Sequence, residues 1–272
     1  MVCQFDKRFL FINNVVIMNI AILQTDIDWG SPQKNIQRVQ QMINEHPDAD
    51  LYVLPEMWST GFATNPMEIA ENEQTSVSLQ WMKSTANQLK CAICGSLSIR
   101  TANGNYRNRH YFYNGKTTVL QYYDKHHLFT YGGEKQFYQA GDCHTIVEYE
   151  GFRILLLTCY DLRFPVWSRY SEKLQFDMIV CVANWPESRQ NAFHILSRAR
   201  AIENMSYLVA VNRVGEDSYN HYRGCSCIIS PIGKTLISCP PHVPYVASYS
   251  LNLEPLRQKR TKFMVLDDRD II

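Results

Sequence analysis

Short apolar runs along the chain are separated by segments in which apolar residues recur with the period of a helix. The runs predict strands at 18–26, 51–54, 91–98, 109–114, 117–123, 144–149, 152–158, 177–182, 206–212, 223–230 and 246–251. Helices are predicted near 32–46, 74–90, 164–173, 188–204 and 254–260. Asn114-Gly115, between two of these strands, is a hairpin signal. The mixture of hairpins and crossover helices predicts an α/β domain with two sheets covered by helices.

One apolar run ends directly at a cysteine. Residues 153–158 form the run, Cys159 follows, and Pro165 opens the next predicted helix. This pattern is typical of a strand–turn–helix elbow, which lifts a nucleophile out of a sheet. A helix N-terminus and a nearby cation would favour the thiolate. Taken alone, Cys159 reads more readily as a buried core cysteine.

Two more chemically competent side chains follow predicted strands. Glu56 lies just past the strand at 51–54, and Lys125 just past the strand at 117–123. Residues at the carboxyl ends of strands converge on one crevice, so both side chains can meet Cys159 there. A proton acceptor, an ammonium and a thiol are together sufficient for amide hydrolysis through a thioester. Singly, Glu56 could be a helix-capping surface acid and Lys125 a solvated loop charge.

These segments, in this order, resemble the nitrilase superfamily of carbon–nitrogen hydrolases. The resemblance runs from about Met18 to the C-terminus. The similar segments are 19–24, 55–56 with 61–62, 124–129, 133–135, 159–165, 183–186 and 198–204.

The resemblance implies a four-layer αββα sandwich and a Glu–Lys–Cys triad formed by Glu56, Lys125 and Cys159. Glu56 would take the thiol proton, and the Lys125 ammonium and the backbone N–H of Tyr160 would hold the oxyanion. Glu134 matches the second glutamate of the family and would orient Lys125 or the substrate amide. No cofactor and no metal are implied.

Within the superfamily, residues 159–167 and 266–270 look most like the ω-amidase branch. Those enzymes hydrolyse the terminal amide of 2-oxo acids such as 2-oxoglutaramate or 2-oxosuccinamate. Amidases of other small carboxylate-bearing substrates and carbamoyl-amino-acid hydrolases remain as alternatives. A panel of amides assayed for ammonia release would separate them.

A substrate of this class carries a carboxylate, so its pocket needs a cation or several N–H donors. Arg163 is the candidate by position, because arginine binds carboxylates bidentately, although it could instead pair with Asp161. Aromatic and amide side chains near the strand ends are expected to confine the substrate. They are Trp58, Phe62, Asn184 and Trp185.

The resemblance also implies a homodimer or a higher homo-oligomer, in which two sandwiches pair across the helix after the nucleophile. Phe164, Val166, Trp167 and Tyr170 are the candidate contacts, with core packing as the alternative. No other macromolecular partner is expected. With 272 residues, 46 % hydrophobic content and a net charge of +1, nothing in the composition favours nucleic acid or an acidic membrane.

Nine cysteines, an odd number, are spread through apolar segments, which disfavours disulfides and favours the cytoplasm. Cys91 and Cys94 have CxxC spacing, but positions i and i+3 of a strand face opposite sides, which argues against chelation. Cys225 and Cys227 would share a face, yet a metal would need two more ligands that cannot be assigned.

Residues 1–17 precede the resemblance and are predicted to be an extension, followed by one carbon–nitrogen hydrolase domain at 18–272. Lys7-Arg8 and the apolar stretch after it hint at a signal peptide, but Asn13-Asn14 interrupts that stretch and no cleavage site follows. No segment approaches the roughly 20 apolar residues of a membrane span.

Two rivals from other classes remain. A cysteine hydrolase of the isochorismatase type also orders an acid, a lysine and a cysteine, but uses Asp as the acid and lacks the segment around Glu134. A catalytically silent binding protein on the same scaffold is the second rival. Rapid alkylation of one thiol near neutral pH, protected by substrate, is expected of the enzyme alone.

Overall fold

The computed structural model describes residues 16–270, which contain four α-helices and fifteen strands. The helices are α1 (Pro32–Glu45), α2 (Val77–Leu89), α3 (Gln190–Glu203) and α4 (Leu253–Lys262). The strands are β1 (Ile17–Gln24), β2 (Leu51–Val53), β3 (Glu71–Asn72), β4 (Ala92–Arg100), β5 (Tyr106–Asn114), β6 (Val119–Asp124), β7 (Ile146–Tyr149), β8 (Phe152–Thr158), β9 (Met178–Ala183), β10 (Tyr207–Asn212), β11 (Val214–Glu216), β12 (His221–Arg223), β13 (Cys227–Ile229), β14 (Thr235–Ser238) and β15 (Tyr245–Asn252).

The strands form two large sheets and one small hairpin. The first sheet has seven strands in the order β15-β1-β2-β4-β5-β6, with β3 paired to β4. The second has six in the order β14-β13-β10-β9-β8-β7, and β11 pairs with β12. Parallel strands occupy the middle of each large sheet, β1-β2-β4 in one and β8-β9-β10 in the other.

Alternating side chains on the strands generate the layers. On β8, Ile154 and Leu156 face the core between the two sheets, whereas Leu155 and Leu157 face the opposite core against α3. On the far side of the first sheet, α1 and α2 cover a third core. The order of layers is helices, sheet, sheet and helix, which confirms the predicted αββα sandwich.

The helix predicted at 164–173 is wrong. Residues Cys159–Arg163 form a 3₁₀ turn, and Phe164 after it is extended, at φ −114° and ψ 92°. A residue before proline is pushed away from helical conformation, which accounts for the break at Pro165. Further on, the backbone N–H of Tyr170 donates to Asn204 Oδ1 at 2.7 Å instead of to a helical carbonyl.

Loss of this helix changes the proposed dimer contacts. The ring of Phe164 stacks on His127, and Trp167 stacks on both His126 and His144. Tyr170 packs against Phe176, so of the four candidates only Val166 is largely exposed, at 68 %. Homodimer formation stays a prediction.

The strand predicted at 223–230 is interrupted, because Gly224 and Cys225 both have positive φ, at 74° and 56°. The chain forms β12 and β13 on either side instead. The short strands β3, β11 and β14 carry no alternation strong enough to predict them. Cys91 and Cys94 do face different cores, as their spacing on a strand predicts.

Residues 1–15 of the predicted extension lie outside the described residues. The structured chain includes the last two positions of that extension, since Ile17 pairs with Asn252 and the carbonyl of Val16 accepts a hydrogen bond from Leu253. Within residues 16–270, no helix is both long and apolar enough to cross a membrane.

Candidate active site

Glu56, Lys125 and Cys159 each stand at the end of a strand. Glu56 comes shortly after β2 and Lys125 directly after β6, both in the first sheet, whereas Cys159 directly follows β8 in the second. Glu134 lies in a short 3₁₀ turn after β6. The two sheets therefore meet at one edge with these four side chains between them.

The turn at Cys159 is conformationally strained and locally braced. Cys159 has φ +45°, a left-handed conformation that costs energy in a residue other than glycine. The buried Asp161 carboxylate holds it: Oδ2 accepts from Thr158 N at 3.0 Å and Tyr123 Oη at 2.7 Å, and Oδ1 accepts from His127 N at 2.9 Å. Asp161 thus fastens the elbow to β6 and the loop after it.

A buried ammonium between two buried carboxylates forms the centre of the site. Lys125 Nζ lies 2.9 Å from Glu56 Oε1 and 2.9 Å from Glu134 Oε2. Lys125 is 1 % exposed, and both glutamates are fully buried. Buried charges of this kind are tolerated because the ammonium is paired with carboxylates and every charged group is hydrogen-bonded.

Asn108, on β5, is the buried residue that the sequence reading missed. Its Nδ2 donates to Glu56 Oε1 at 2.7 Å and to Glu134 Oε1 at 3.0 Å. The orientation of this amide is fixed, because Ser96 Oγ accepts from Met57 N at 2.9 Å and donates to Asn108 Oδ1 at 2.8 Å. No local motif marks Asn108; only its inward position on β5 could have suggested it.

Backbone donors complete the shell of both carboxylates. Asn184 N donates to Glu56 Oε2 at 2.8 Å, and Asn184 Nδ2 donates to the Glu56 carbonyl at 2.6 Å. Phe129 N donates to Glu134 Oε2 at 2.6 Å. The Sγ atom of Cys159 lies 3.9 Å from the carbonyl oxygen of Asn184, which connects the thiol to the same shell.

Burial and charge act in opposite directions on the titrating groups. Burial would lower the pKa of the Lys125 ammonium, but the charges of Glu134 and Glu56 raise that pKa well above its ordinary value. Burial raises the pKa of Glu134, while Lys125 opposes the rise. Lys125 therefore stays protonated over the whole physiological range.

The thiol of Cys159 differs from the expectation drawn from sequence. Burial, reinforced by the charge of Glu56, raises its pKa well above the ordinary value, and the opposing effect of Lys125 is too small to reverse this. The neighbouring cation acts in the expected direction, because Lys125 lowers the thiol pKa, but burial outweighs it. The thiol rests protonated and needs a base before it can attack.

A cavity of about 430 Å³, including its mouth, opens onto this group. Residues from five parts of the chain line it: Phe62, Lys125, Phe129, Cys159, Tyr160, Arg163, Asn184, Trp185, Pro186, Arg189, Asn220 and Tyr222. Five of the six expected pocket residues are among them. The sixth, Trp58, is not, because its ring is fully buried against Trp81 in the core under α1 and α2.

Two guanidinium groups face this cavity without an acidic partner. Within residues 16–270, neither Arg163 nor Arg189 forms an ion pair; Arg163 lies 4.9 Å from the ring of Trp185, and Arg189 lies 5.4 Å from the ring of Phe129. Asp161 instead binds Tyr123, so the alternative pairing of Arg163 is wrong. Every other arginine that is at least partly buried there has a carboxylate within 3.9 Å: Arg38, Arg107, Arg109, Arg153, Arg169, Arg200, Arg213, Arg260 and Arg269.

Sequence reasoning also missed Phe129, Arg189, Asn220 and Tyr222. The last two come from the β11–β12 hairpin, far along the chain from any motif. Arg189 closely follows Trp185 in the sequence, and this proximity to an expected pocket residue is the only feature of the sequence that could have suggested Arg189. Within residues 16–270, no group of three or more His, Cys, Asp or Glu side chains could hold a metal ion.

Comparisons with known proteins point to one family. Residues 19–261 match the family model described as carbon–nitrogen hydrolase. Omega-amidase YafV of Escherichia coli (strain K12) is 38 % identical over 256 residues, covering 93 % of this chain and 97 % of that protein. The 2-oxoglutaramate amidase of Bacillus subtilis (strain 168) is 32 % identical over 251 residues, covering 92 % and 96 %.

Solved structures show the same architecture. XC1258 from Xanthomonas campestris, a CN-hydrolase superfamily protein with an arsenic adduct in its active site, superposes with a TM-score of 0.89 at 34 % identity, covering 94 % of this chain and 98 % of that one. Nit3 of Saccharomyces cerevisiae, a member of branch 10 of the nitrilase superfamily, has a TM-score of 0.81 at 21 % identity, over 91 % and 94 %. The second likeness concerns the fold alone.

The charge beside Cys159 predicts the direction in which one variant shifts the titration of the thiol. Glu56 raises the thiol pKa, so Glu56→Gln should move thiolate formation to lower pH. Ultraviolet thiolate absorbance against pH, with Cys159→Ala titrated in parallel and subtracted, measures this. Glu148→Gln, on the exposed side of β7, should leave the midpoint unchanged. An unchanged or raised midpoint in Glu56→Gln would contradict the assignment.

The two hydrogen bonds of Asn108 predict a change in the pH dependence of turnover. Asn108 lowers the pKa of Glu134, so Asn108→Leu should raise that pKa further and move the acid limb of activity to higher pH. Loss of charge-assisted bonds worth about 1.5–3 kcal/mol should also lower kcat roughly 10- to 100-fold.

The matched control for this variant is Asn191→Leu on the exposed side of α3. Thermal unfolding followed by circular dichroism separates a local effect from loss of the fold. An acid limb in the same place as in the wild-type profile would show that Asn108 does not support the glutamates.

Proposed function

Because the chain belongs to the carbon–nitrogen hydrolase family, we propose that it hydrolyses the terminal amide of a small 2-oxo dicarboxylic acid monoamide, of the 2-oxoglutaramate or 2-oxosuccinamate type. The products are the dicarboxylic acid and ammonia. The observation that carries the proposal is the buried Lys125 ammonium, held between Glu56 and Glu134 beside the Cys159 thiol.

The first half of the reaction follows from the protonation states. The thiol of Cys159 rests protonated, so Glu56 accepts its proton as Sγ attacks the amide carbon. The amide oxygen becomes an oxyanion, which the Lys125 ammonium and the backbone N–H of Tyr160 stabilise. An ammonium has three donors; the shortest bonds of Lys125 go to Glu56 and to Glu134 Oε2, and the donor in the longer 3.2 Å contact to Glu134 Oε1 can turn to this oxyanion. The carbon–nitrogen bond then breaks, and the nitrogen leaves as ammonia with the proton held by Glu56.

The second half uses the same groups. Water attacks the thioester on Cys159 while Glu56 removes the proton of that water, and the acid leaves as Sγ takes the proton back. Glu134 receives two contacts from Lys125, at 2.9 and 3.2 Å, and so keeps the ammonium aimed at the oxyanion through both halves. Its role is to position Lys125 or the substrate amide.

The charges that line the cavity support a carboxylate-bearing substrate. Lys125, Arg163 and Arg189 line it, and among residues 16–270 no acidic side chain does. Neither guanidinium has a protein carboxylate, so a carboxylate of the substrate supplies the missing partner bidentately. The α-ammonium of glutamine would lie among these cations without a counter-ion, whereas a 2-oxo group accepts hydrogen bonds from them. The names of the E. coli and B. subtilis relatives support the same class.

A panel of amides tests this assignment through ammonia release. The kcat/KM for 2-oxoglutaramate should exceed that for glutamine by at least about 100-fold, because like charges brought together cost several kcal/mol. Asparagine, simple aliphatic amides and N-carbamoyl amino acids complete the panel, and Cys159→Ala is the control for background hydrolysis. If the 2-oxo acid amides react no faster than glutamine, asparagine or aliphatic amides, the substrate assignment fails while the Cys159 chemistry can survive.

A further inference from the structure

Arg163 and Arg189, the two cavity arginines without acidic partners, lie at different depths in the cavity. The inference drawn from this difference rests on the proposed function and concerns the length of the substrate. Arg163 belongs to the 3₁₀ turn that begins at Cys159 and lines only the inner cavity. Arg189 lines that cavity and also a wider outer one, which we call the vestibule. Walls of the vestibule include Trp29, Thr64, Tyr131, Arg189, Asp217 and Tyr219. Arg189 therefore stands where the inner cavity opens into the vestibule.

Trp185 contacts both arginines, the guanidinium of Arg163 and the backbone of Arg189. Its ring lies under the guanidinium of Arg163, and its Nε1 donates to the backbone carbonyl of Arg189 at 2.9 Å. Trp185 itself is only 3 % exposed, and its backbone N–H donates to Asn212 Oδ1 at 2.8 Å. The rigid Trp185 side chain thus contacts the Arg163 guanidinium through the face of its ring and the Arg189 backbone carbonyl through its indole N–H.

Aromatic faces, and not carboxylates, orient both cations. A guanidinium over a ring keeps its N–H edges free, so it can bind a planar carboxylate without first breaking an ion pair. At Arg189 the ring is that of Phe129, whose backbone N–H is bonded to Glu134. The Arg189 guanidinium is therefore pre-organised by the loop that contains Phe129 and carries Glu134.

We propose that Arg189 determines chain length, by binding the terminal carboxylate of a substrate whose amide is at Cys159 and whose 2-oxo group is at Arg163. 2-Oxoglutaramate carries its carboxylate one methylene further from the amide than 2-oxosuccinamate does. The longer substrate reaches Arg189 at the opening of the cavity, whereas the shorter one ends near Arg163. Arg189 thus selects the longer of the two 2-oxo acid amides.

The ratio of kcat/KM for 2-oxoglutaramate to that for 2-oxosuccinamate tests this role. Arg189→Gln should lower the ratio about 10- to 100-fold, the range expected for one charge-assisted bidentate contact, mainly through KM for the longer substrate. Arg189→Lys should restore part of it. Arg163→Gln should reduce turnover of both substrates, and of the shorter one at least as strongly, because the carboxylate of the shorter substrate ends near Arg163; the ratio should therefore not fall. Arg198→Gln, exposed on α3 and outside both cavities, is the control for charge alone.

An unchanged ratio in Arg189→Gln, or an equal change in Arg163→Gln, would overturn the proposal. Binding of the product 2-oxoglutarate by calorimetry gives a readout that needs no turnover. Cys159→Ala should bind it about 10-fold more tightly than Cys159→Ala combined with Arg189→Gln. If the wild-type protein fails to hydrolyse either amide but this difference in binding appears, the proposed function fails and the carboxylate site at Arg189 stands. Equal binding by the two variants overturns the site itself.

Discussion

The burial of one ammonium between two carboxylates is the constraint on which the site depends. The pKa of a lone charged group in this interior would shift until the group is neutral. If Lys125 paired with only one of the two glutamates, the carboxylate of the other would have no partner. Lys125 neutralises only part of the charge of Glu56 and Glu134. The rest is met by fixed dipoles, namely the Asn108 amide and the backbone N–H groups of Asn184 and Phe129. These donors come from separate strands and loops, so the group can form only when the whole sandwich has closed.

The same constraint explains why the reactive thiol is held in a protonated state. Glu56 is close enough to raise the pKa of Cys159 and, for the same reason, close enough to take its proton. Glu56 and Lys125 come from the first sheet and Cys159 from the second, so their distances are set by the packed core between the sheets. Asp161 adds a direct connection, since it joins the elbow after β8 to Tyr123 on β6. Preorganisation of this kind favours the charged transition state without reorganisation at the moment of reaction.

Much of the fold and of the site could be predicted because the reactive side chains lie directly after strands. The apolar runs before Glu56, Lys125 and Cys159 are recognisable in the sequence. Because each run forms a strand and each of these residues follows its strand, the three side chains lie at one edge of the sheets. The helix after the elbow could not be predicted correctly, because Phe164 is extended before Pro165 and the backbone N–H of Tyr170 is taken by Asn204, which is distant in the chain. Trp58 failed as a pocket residue because nearness in sequence to Glu56 does not reveal which face of the sheet a side chain takes. Asn108 and Arg189 were missed, since their partners are distant in the chain and only the fold brings them together.

Formation of a thioester on Cys159 is the central step of the proposed reaction, and mass spectrometry of the acid-quenched, digested protein tests it most directly. The wild-type protein and Cys159→Ala would be mixed with excess 2-oxoglutaramate, quenched in acid during turnover, digested and analysed by mass spectrometry, with ammonia measured in parallel. We expect the acyl group of the substrate, without its amide nitrogen, on the peptide that contains Cys159 in the wild-type protein, and neither adduct nor ammonia from Cys159→Ala. Sustained ammonia release from Cys159→Ala, or an acyl group found on a different residue, would contradict it.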